Sequence, residues 1–558
     1  MGTPRRPPRA YARTLPAMLA IALVAVWTSW PGVLTGQEPG ATAEYDVVIR
    51  NGRVLDGSGN PWFRADVGLR GDRVAVVGDL SDARGREEVD ATGLFVAPGF
   101  IDVHTHTGPG LETPELSDGR PLLAQGITTA FVNPDGGGYV DLAAQRDSLL
   151  LHGLGVNVAQ MVPHGSVRRE VLGMQDRKAG PAELERMKAL VRAGMEQGAF
   201  GLSSGPFYTP GSYSDTRELV ELARVAAEYG GAYASHIRDE SNYTIGVVAA
   251  VDEVITVARE GGLPGVVTHI KVLGPPVWGY SSALVHRIEE ARRRGTEVYA
   301  DQYPYVASAT GLQSALLPRW AQAGGGDSLR ARLQRPDDRA RIREAMEANL
   351  ARRGGADRIQ FRRFEEDPAI EGRTLAEVAR ERNLHPLDAA LAMFEQGGPS
   401  IVSFNMHEDD VRTLMVQPWT MTSSDGGLVP MGEGVPHPRN YGAFARKIRV
   451  YVQEEGVLGL EQAIRSMTSL PAQVFRVADR GLLRPGAYAD VTVFDLDRVR
   501  DVGTFTDPHH LAEGTVHVWV NGERAVADER FTGTRAGRVL RRDEAPAGVT
   551  VPRSGPVR

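Results

Sequence analysis

The chain has 558 residues, of which 42% are hydrophobic and 24% charged, and its formal net charge is −7. This length accommodates a large barrel and a smaller domain with separate cores, and the acidic balance argues against binding of nucleic acid through phosphate contacts. Cysteine is absent, which excludes disulfide bonds, thiolate metal sites and a lipidated cysteine anchor, so any metal must be held by His, Asp or Glu.

The first 40 residues have the pattern of a secretory signal peptide. The stretch MGTPRRPPRAYAR is rich in arginine and has no acid, and the apolar stretch TLPAMLAIALVAVW follows it, before small residues suited to cleavage. Because the apolar run is short for a membrane span, we expect export to the periplasm or the medium, with no stable membrane insertion after cleavage. An uncleaved anchor is the alternative.

Short alternating strands with glycine-containing turns occur near both ends of the mature chain. Residues 41–97 include YDVVIRNGRVLDGSG, and residues 476–535 include GLLRPGAYADVTVFDLD and VHVWVNGERAV. These two clusters predict one small β-sandwich domain built from both ends. Residues 536–558 are charged and contain proline, so we expect a poorly ordered tail.

Residues 98–475 alternate short apolar runs with amphipathic helices. After the run that ends in VHTHT, eight further runs are interpreted as buried parallel strands: ITTAFVN, GVNVAQMVP, GAFGLSSG, GAYASHI, GVVTHIK, TEVYADQYPY, SIVSFNM and PWTMTSSDG. Repeated βα units predict an α/β fold, a (β/α)₈ TIM-type barrel. A doubly wound open sheet is the alternative, although no glycine-rich phosphate fingerprint follows an early strand.

A helical stretch at about residues 313–395, rich in arginine and acids, interrupts this alternation. We interpret it as an insertion over one mouth of the barrel. A long solvated helix pair is the alternative.

Polar residues that could bind a metal follow several predicted strands. His104 and His106 are two residues apart, so they project to the same side of a strand, and His236, His269 and Asp425 each end another strand. Because the carboxyl ends of barrel strands meet at one rim, these side chains are predicted to converge. Imidazole and carboxylate ligands suit Zn²⁺, with other divalent metals such as Mn²⁺, Fe²⁺ or Ni²⁺ possible.

These segments together resemble the amidohydrolase superfamily and, within it, the N-acyl-D-amino-acid deacylases, or D-aminoacylases. The resemblance covers about residues 44–530 and is carried by APGFIDVHTHT, GAFGLSSGPFYTPGSYSDTRELVELA, SHIRDE, THIK, DQYPY, FNMHEDDV, SSDGG, HPRNYGAFARKI, SMTSLPAQVFRVADRGLLRPGAYADVTVFD and VWVNG. It implies a metal-loaded barrel capped by a small β-domain, acting as an amide hydrolase on a small molecule, N-acyl-D-amino acids.

The resemblance also implies which residues hold one or two metal ions. His104, His106 and Asp425 would hold one ion, and His236 and His269 would hold the other. Family members place a bridging cysteine in an Asn-Cys-Gly turn after the second strand, and here that position falls on Asp135 in VNPDGGG. A carboxylate can bridge two metals and favours harder ions than a thiolate does, so we expect Asp135 to be a ligand. An ordinary turn aspartate beside a single tight metal site is the alternative.

Four residues are predicted to carry the reaction and to bind the substrate. Asp425 is expected to take a proton from the attacking water and deliver it to the leaving amine, with the metal polarising the scissile carbonyl. Lys271, two residues beyond His269, is expected to pair with a substrate carboxylate. Tyr303 resembles the family's substrate-contacting tyrosine, although Tyr305 shares its face. Arg238 is expected to orient the substrate, with a structural ion pair to Asp239 or Glu240 as the alternative.

Two other functions remain open at this point. The first is a cyclic-amide hydrolase of the dihydroorotase or hydantoinase kind, or an imidodipeptidase, of the same superfamily. The second is a barrel that binds a ligand without catalysis, which the complete set of metal-binding side chains argues against. The sequence does not define the acyl group, the stereochemistry of the substrate or the oligomeric state.

Overall fold

A computed structural model describes residues 44–542 of the chain. The predicted signal peptide, residues 41–43 and the last 16 positions of the predicted tail, 543–558, lie outside the described residues. Within the described range no helix has the length and apolar character needed to cross a membrane.

Strands occur along the whole described chain and are numbered in chain order. They are β1 (Glu44–Val54), β2 (Phe63–Arg70), β3 (Arg73–Gly78), β4 (Arg84–Asp90), β5 (Phe95–Pro98), β6 (Phe100–Asp102), β7 (Ile127–Val132), β8 (Asn157–Gln160), β9 (Val162–Pro163), β10 (Gly201–Ser204), β11 (Ala232–Ser235), β12 (Gly265–Val267), β13 (Val298–Gln302), β14 (Ser308–Gly311), β15 (Ile359–Arg363), β16 (Ser400–Ser403), β17 (Thr420–Thr422), β18 (Val491–Phe494), β19 (Thr515–Val520), β20 (Glu523–Ala527), β21 (Arg530–Phe531) and β22 (Val539–Leu540).

Helices lie between the strands, mostly in the middle of the chain. They are α1 (Gly108–Leu111), α2 (Arg120–Leu123), α3 (Leu142–Leu150), α4 (His164–Leu172), α5 (Pro181–Glu196), α6 (Thr216–Glu228), α7 (Val247–Gly261), α8 (Ser281–Arg293), α9 (Leu312–Leu316), α10 (Gly325–Leu333), α11 (Pro336–Arg352), α12 (Leu375–Glu381), α13 (Pro386–Glu395), α14 (Glu408–Met415), α15 (Arg439–Arg446), which continues into a π-helix (Lys447–Glu454), α16 (Leu460–Met467) and α17 (Ser469–Phe475).

The parallel strands of the middle region form a closed ring. One sheet has the order β17-β13-β12-β11-β10-β9 and a second contains β8-β7-β6, with β8 and β9 separated by a single residue. The ring closes after β17, where the backbone N–H of Asp425 donates to His104 O (2.9 Å) and that of His106 donates to Gly426 O (2.7 Å). Counting β8 and β9 as one interrupted strand gives eight positions, and the predicted (β/α)₈ fold class is confirmed.

The barrel strands are buried because the helices around them cover their outer side. All residues of β7, β8, β10, β11, β12 and β13 are buried, and the helices around them present apolar faces to the same core. Strands covered by helices on their outer side are buried along their whole length in this way. The carboxyl ends of all eight strands therefore point to one rim, which is where polar side chains follow them.

The β-domain is one nine-stranded sheet that takes strands from both ends of the described chain. Its order is β21-β20-β19-β18-β5-β1-β2-β3, with β4 also paired to β1. The sheet curls on itself, because Val74 N of β3 donates to Ala487 O ahead of β18 (2.8 Å). The curled sheet encloses its own apolar cluster, including Val67, Val491 and Trp519.

The segment SIVSFNM was predicted to be a parallel barrel strand, and this prediction is wrong. It forms β16, which pairs antiparallel with β14 and β15 in a separate three-stranded sheet. The predicted insertion at 313–395 contains helices α9 to α13 but also strand β15, and it has its own buried core around Leu316, Ile342 and Phe361. A short apolar run carries no information on which strand it will pair with.

Part of the predicted tail is ordered, contrary to expectation. Val539–Leu540 form β22, which pairs parallel with β8, and Leu540 is buried. Arg538 Nη1 lies 2.8 Å from Asp72 Oδ2. Two apolar residues within a charged segment are enough to form a short strand beside β8.

One buried lysine lies between β17 and α16 and, within the described part of the chain, has no carboxylate as its hydrogen-bond partner. Lys447 is 1% exposed, and its Nζ donates to Thr422 Oγ1 (2.9 Å) and Ser466 Oγ (3.0 Å). Burial lowers the pKa of this amine to about 7, since a charged group loses its hydration when it is enclosed.

This pKa shift predicts a pH-dependent stability. The unfolded lysine has a pKa of about 10.4, so between about pH 7 and pH 10 the unfolded chain binds more protons, and the destabilisation by Lys447 grows as the pH falls. We expect Lys447→Met to gain stability over wild type, by about 1.4 kcal/mol for each pH unit lowered in this range.

Chemical denaturation at about pH 9.5, 8.5 and 7.5 measures this difference. Lys188→Met is the control, because the ion pair with Glu221 raises the pKa of Lys188 above its unfolded value. Lys188 is therefore protonated in both states from about pH 7.5 to 9.5, and the stability difference between this variant and wild type should not change with pH. A stability difference between Lys447→Met and wild type that does not change with pH would contradict the assignment.

Candidate active site

Six predicted ligands lie at the rim where the barrel strands end. His104 and His106 follow β6, and Asp135 follows β7. The other three follow β11, β12 and β17, namely His236, His269 and Asp425. Their ligand atoms form two groups that share Asp135, each with all atoms within 4.8 Å of one another: His104, His106, Asp135 and Asp425 in one, and Asp135, His236 and His269 in the other.

Asp135 lies at the centre of the four imidazoles. Its Oδ1 lies 3.3 Å from His104 Nε2, 3.4 Å from His269 Nε2 and 3.6 Å from His236 Nδ1, and its Oδ2 lies 3.4 Å from His106 Nε2. Two ligand atoms that each lie about 2.1 Å from a tetrahedral ion are about 3.4 Å apart. The spacing is therefore that of ligands around a common ion.

Asp425 completes the first group of ligands. Its Oδ1 lies 3.1 Å from His106 Nε2 and 3.7 Å from His104 Nε2. Among residues 44–542, several of these buried atoms make no hydrogen bond: His104 Nε2, Asp135 Oδ1 and both ring nitrogens of His236. Buried polar atoms are almost always satisfied in folded proteins, so this donor set fits a metal.

Backbone conformation contributes to this convergence. Asp135, His269 and Asp425 have φ of 55°, 36° and 50°, in the left-handed region that non-glycine residues adopt only at a cost. The turn after β7 is also tightly packed, because a Cβ on Gly205 would lie 2.2 Å from Asp135 O. Glycine at position 205 allows the loop after β10 to approach the Asp135 turn.

The two carboxylates of the centre are ionised. Burial alone would raise the pKa of Asp135, but the charges of the surrounding histidines, that of His104 first, hold it well below the usual range. Burial is likewise outweighed at Asp425, whose pKa is held well below the usual range by Arg439 and His269. Ionised carboxylates are the form that binds a cation.

Glu240 lies next to the second group of ligands and holds Lys271. Lys271 Nζ lies 2.5 Å from Glu240 Oε1 and 2.5 Å from His269 Nδ1, while Glu240 Oε2 lies 3.5 Å from His236 Nε2. Burial would raise the pKa of Glu240, but Lys271 and His236 lower it below its usual range. Partners of this kind fix the orientation of metal-binding imidazoles.

A cavity of about 780 Å³ opens onto these groups and is lined by residues of both the barrel and the insertion. Tyr303, Lys271 and Arg439 are among the residues that line it. Arg439 Nη1 lies 2.7 Å from Asp425 Oδ2, and its guanidinium carbon lies 4.6 Å from the centre of the Tyr303 ring. Burial raises the pKa of Tyr303 well above its usual value, so its hydroxyl stays neutral.

His437 positions Arg439. The backbone N–H of Arg439 donates to His437 Nδ1 (3.0 Å), so the opposite ring nitrogen, Nε2, carries the proton and donates to Ala307 O (3.0 Å). Burial, with the nearby charge of Arg439, lowers the pKa of His437 well below its usual value. A neutral imidazole in one tautomer therefore ties the start of α15 to the loop after β13.

Comparison with known proteins identifies the family of this chain. A family model described as the amidohydrolase family matches residues 87–526. The chain belongs to the amidohydrolase family. Its similarity to D-aminoacylase from Alcaligenes xylosoxydans xylosoxydans is 36% identity over 524 residues, which cover 90% of this chain and 98% of the relative. The predicted resemblance to the N-acyl-D-amino-acid deacylases is thereby confirmed.

Solved structures of deacylases are similar to this amidohydrolase over most of its length. A D-aminoacylase structure, described with its binuclear metal centre, is 33% identical with a TM-score of 0.77, and covers 89% of this chain and 100% of its own. N-acyl-D-glutamate deacylase from Bordetella bronchiseptica, solved with zinc and a phosphonate inhibitor, is 34% identical with a TM-score of 0.76 and the same coverage.

Arg238 does not have the position in this amidohydrolase that the sequence predicted. It is not among the residues that line the cavity, and its guanidinium pairs instead with Glu253 on α7 (2.9 Å) and donates to Ser212 O (3.3 Å). The alternative partners were also wrong, since Asp239 accepts backbone N–H groups of the next loop and Glu240 faces the ligands. The alternation of side-chain directions along a strand does not apply to Arg238, because β11 ends at Ser235, three residues earlier.

Proposed function

We propose that this amidohydrolase cleaves the amide bond of N-acyl-D-amino acids at a metal centre held by His104, His106, Asp135, His236, His269 and Asp425. The observation that carries the proposal is the Asp135 carboxylate surrounded at 3.3–3.6 Å by four imidazoles. The substrate class comes from the similar D-aminoacylase and N-acyl-D-glutamate deacylase.

Zinc is the proposed ion, in one or two copies, and other divalent ions are accepted by the same ligand types. The zinc-containing deacylase and the binuclear centre of the D-aminoacylase support this choice. Such an ion supplies a water activated for attack at neutral pH and polarises the scissile carbonyl.

The chain's own residues move the proton and hold the substrate. Asp425 is ionised, and its carboxylate faces both His106 and Arg439, so it accepts a proton during attack and returns it to the amine nitrogen that leaves. Arg439 lines the cavity beside it and supplies the positive charge that a substrate α-carboxylate requires. Lys271 and Tyr303 line the same cavity and are proposed to contact the substrate.

A substrate screen combined with metal removal tests the proposal. We expect the purified protein to hydrolyse N-acetyl-D-amino acids at least about 100-fold faster than their L-enantiomers, because a fixed metal and a fixed carboxylate site admit one orientation of the side chain. Dialysis against a chelator should abolish the activity, and Zn²⁺ should restore it.

Chelator-treated protein returned to metal-free buffer is the control. Cleavage of L-substrates only, of cyclic amides such as hydantoins only, or undiminished activity without metal would contradict the proposal.

We also propose that the enzyme is exported, as the pattern of residues 1–40 indicates. The intact mass of protein recovered from the periplasm or medium tests this, since cleavage shortens the chain by about 40 residues.

A further inference from the structure

The wall that the insertion contributes to the cavity carries two arginines, one buried and one partly buried. Arg362 lies on β15 and Arg353 directly follows α11, and both line the cavity together with Arg439. Arg353 is 2% exposed, and Arg362 is partly buried. Neither residue belongs to the proposed metal centre.

Neither guanidinium has a carboxylate partner within 4.0 Å among residues 44–542. Arg362 Nε donates to Ser400 Oγ (3.3 Å), and Arg353 Nη1 donates to Ser403 Oγ (3.1 Å) while its Nε makes no hydrogen bond. The neighbouring Arg363 contrasts with Arg362, since it lies outside the cavity wall and pairs with Glu433 and Glu365.

Acidic side chains that line the cavity already have other partners. Asp135 and Asp425 face the histidines, Glu240 holds Lys271, and Glu112 accepts hydrogen bonds from Tyr139 and Ser148. The cavity outside the metal centre is therefore cationic. A positive charge enclosed without a partner destabilises the fold. Such a charge is retained where an anionic ligand pairs with it.

Arg362 lines the same cavity as Arg439. Burial lowers its pKa to about 10, and the like charge of Arg439 contributes to this shift while Asp425 opposes it. The guanidinium is thus still charged at neutral pH. Two arginines on the wall of one cavity can bind two separate anionic groups, and Arg439 would bind the α-carboxylate.

We propose that Arg362 binds a second carboxylate of the substrate, so that the enzyme prefers N-acyl-D-amino acids with two acidic groups. This inference rests on the proposed function, because it assigns the substrate class of the same site. The second carboxylate could be in the amino-acid side chain or in the acyl group, and both would present the same chemistry to the guanidinium.

Isosteric substrate pairs test the inference. N-acetyl-D-glutamate and N-acetyl-D-glutamine have the same shape and differ in charge, and N-succinyl-D-alanine and N-butanoyl-D-alanine make the corresponding comparison in the acyl group. We expect wild type to favour the acidic member of one pair in kcat/KM. Arg362→Met should lower kcat/KM for that acid by about 100-fold, as expected for a lost charge-assisted pair, and change the neutral member by less than about threefold.

Turnover of the neutral substrate shows that Arg362→Met is folded and holds its metal. Arg363→Met is the matched control, a neighbouring arginine of the same strand whose charge is paired outside the cavity, and it should leave both members of each pair unchanged. A preference in the glutamate pair assigns the second carboxylate to the side chain, and a preference in the succinyl pair assigns it to the acyl group.

Two results would overturn the inference while leaving the proposed function intact. In one, wild type hydrolyses acidic and neutral members equally well. In the other, Arg362→Met loses activity equally on both. If wild type hydrolyses no N-acyl-D-amino acid, the proposed function fails, and the inference fails with it.

Discussion

Replacement of Asp425 by asparagine is expected to lower kcat by about three orders of magnitude while the protein remains folded. The amide has almost the same shape, but it cannot accept the proton that the carboxylate takes, and general acid–base groups contribute about 10²- to 10⁴-fold. The backbone bond from Asp425 N to His104 O (2.9 Å) that closes the barrel is unaffected. Arg439 would lose its carboxylate partner at the same time, which adds to the loss.

Steady-state kinetics with an N-acyl-D-amino acid, together with metal content and thermal unfolding, separate chemistry from folding. Asp252→Asn is the matched control, because Asp252 lies on α7 with its carboxylate paired to Arg287 at the surface. We expect the control to keep full activity and Asp425→Asn to keep its melting temperature within a few degrees. A kcat for Asp425→Asn within tenfold of wild type would rule out its role as the proton acceptor.

The barrel and its ligand positions could be predicted because both follow from chain geometry. Parallel strands must end at one rim. A histidine or aspartate just after each strand therefore lies near the others, independent of the conformation of the longer loops. That reasoning located His104, His106, His236, His269 and Asp425. It could not show that Asp135 approaches all four imidazoles, since this depends on a left-handed φ of 55°.

Residues beyond the strand ends were harder to place. Arg439 begins α15 after a loop, and Glu240 follows two residues after Arg238, so strand alternation says nothing about where either side chain points. Arg362 lies in the insertion, whose approach to the cavity is a tertiary contact without a local pattern. The role of such a charged residue can be inferred only when the residues around it in the fold are known.

Replacement of Asp135 by alanine is expected to remove most of the bound metal and to lower kcat/KM by at least about 100-fold, because even partners of metal ligands contribute 10- to 100-fold. The carboxylate is the single group shared by both sets of ligand atoms. Without it, four imidazoles that face one another at the centre lose their shared anion, and a divalent cation loses one of two negative charges contributed by Asp135 and Asp425.

Metal per chain after dialysis and the initial rate on an N-acyl-D-amino acid measure the effect, with Asp147→Ala as the control. Asp147 lies on α3 with its carboxylate exposed and beside Arg146, so its loss should change neither quantity. Asp135→Cys places a thiolate at the position where the resemblance to the D-aminoacylases implies a cysteine, and it should retain metal while shifting the preference toward softer ions. Full metal content and activity in Asp135→Ala would show that the centre assembles without this carboxylate, and that Asp135 is an ordinary turn residue.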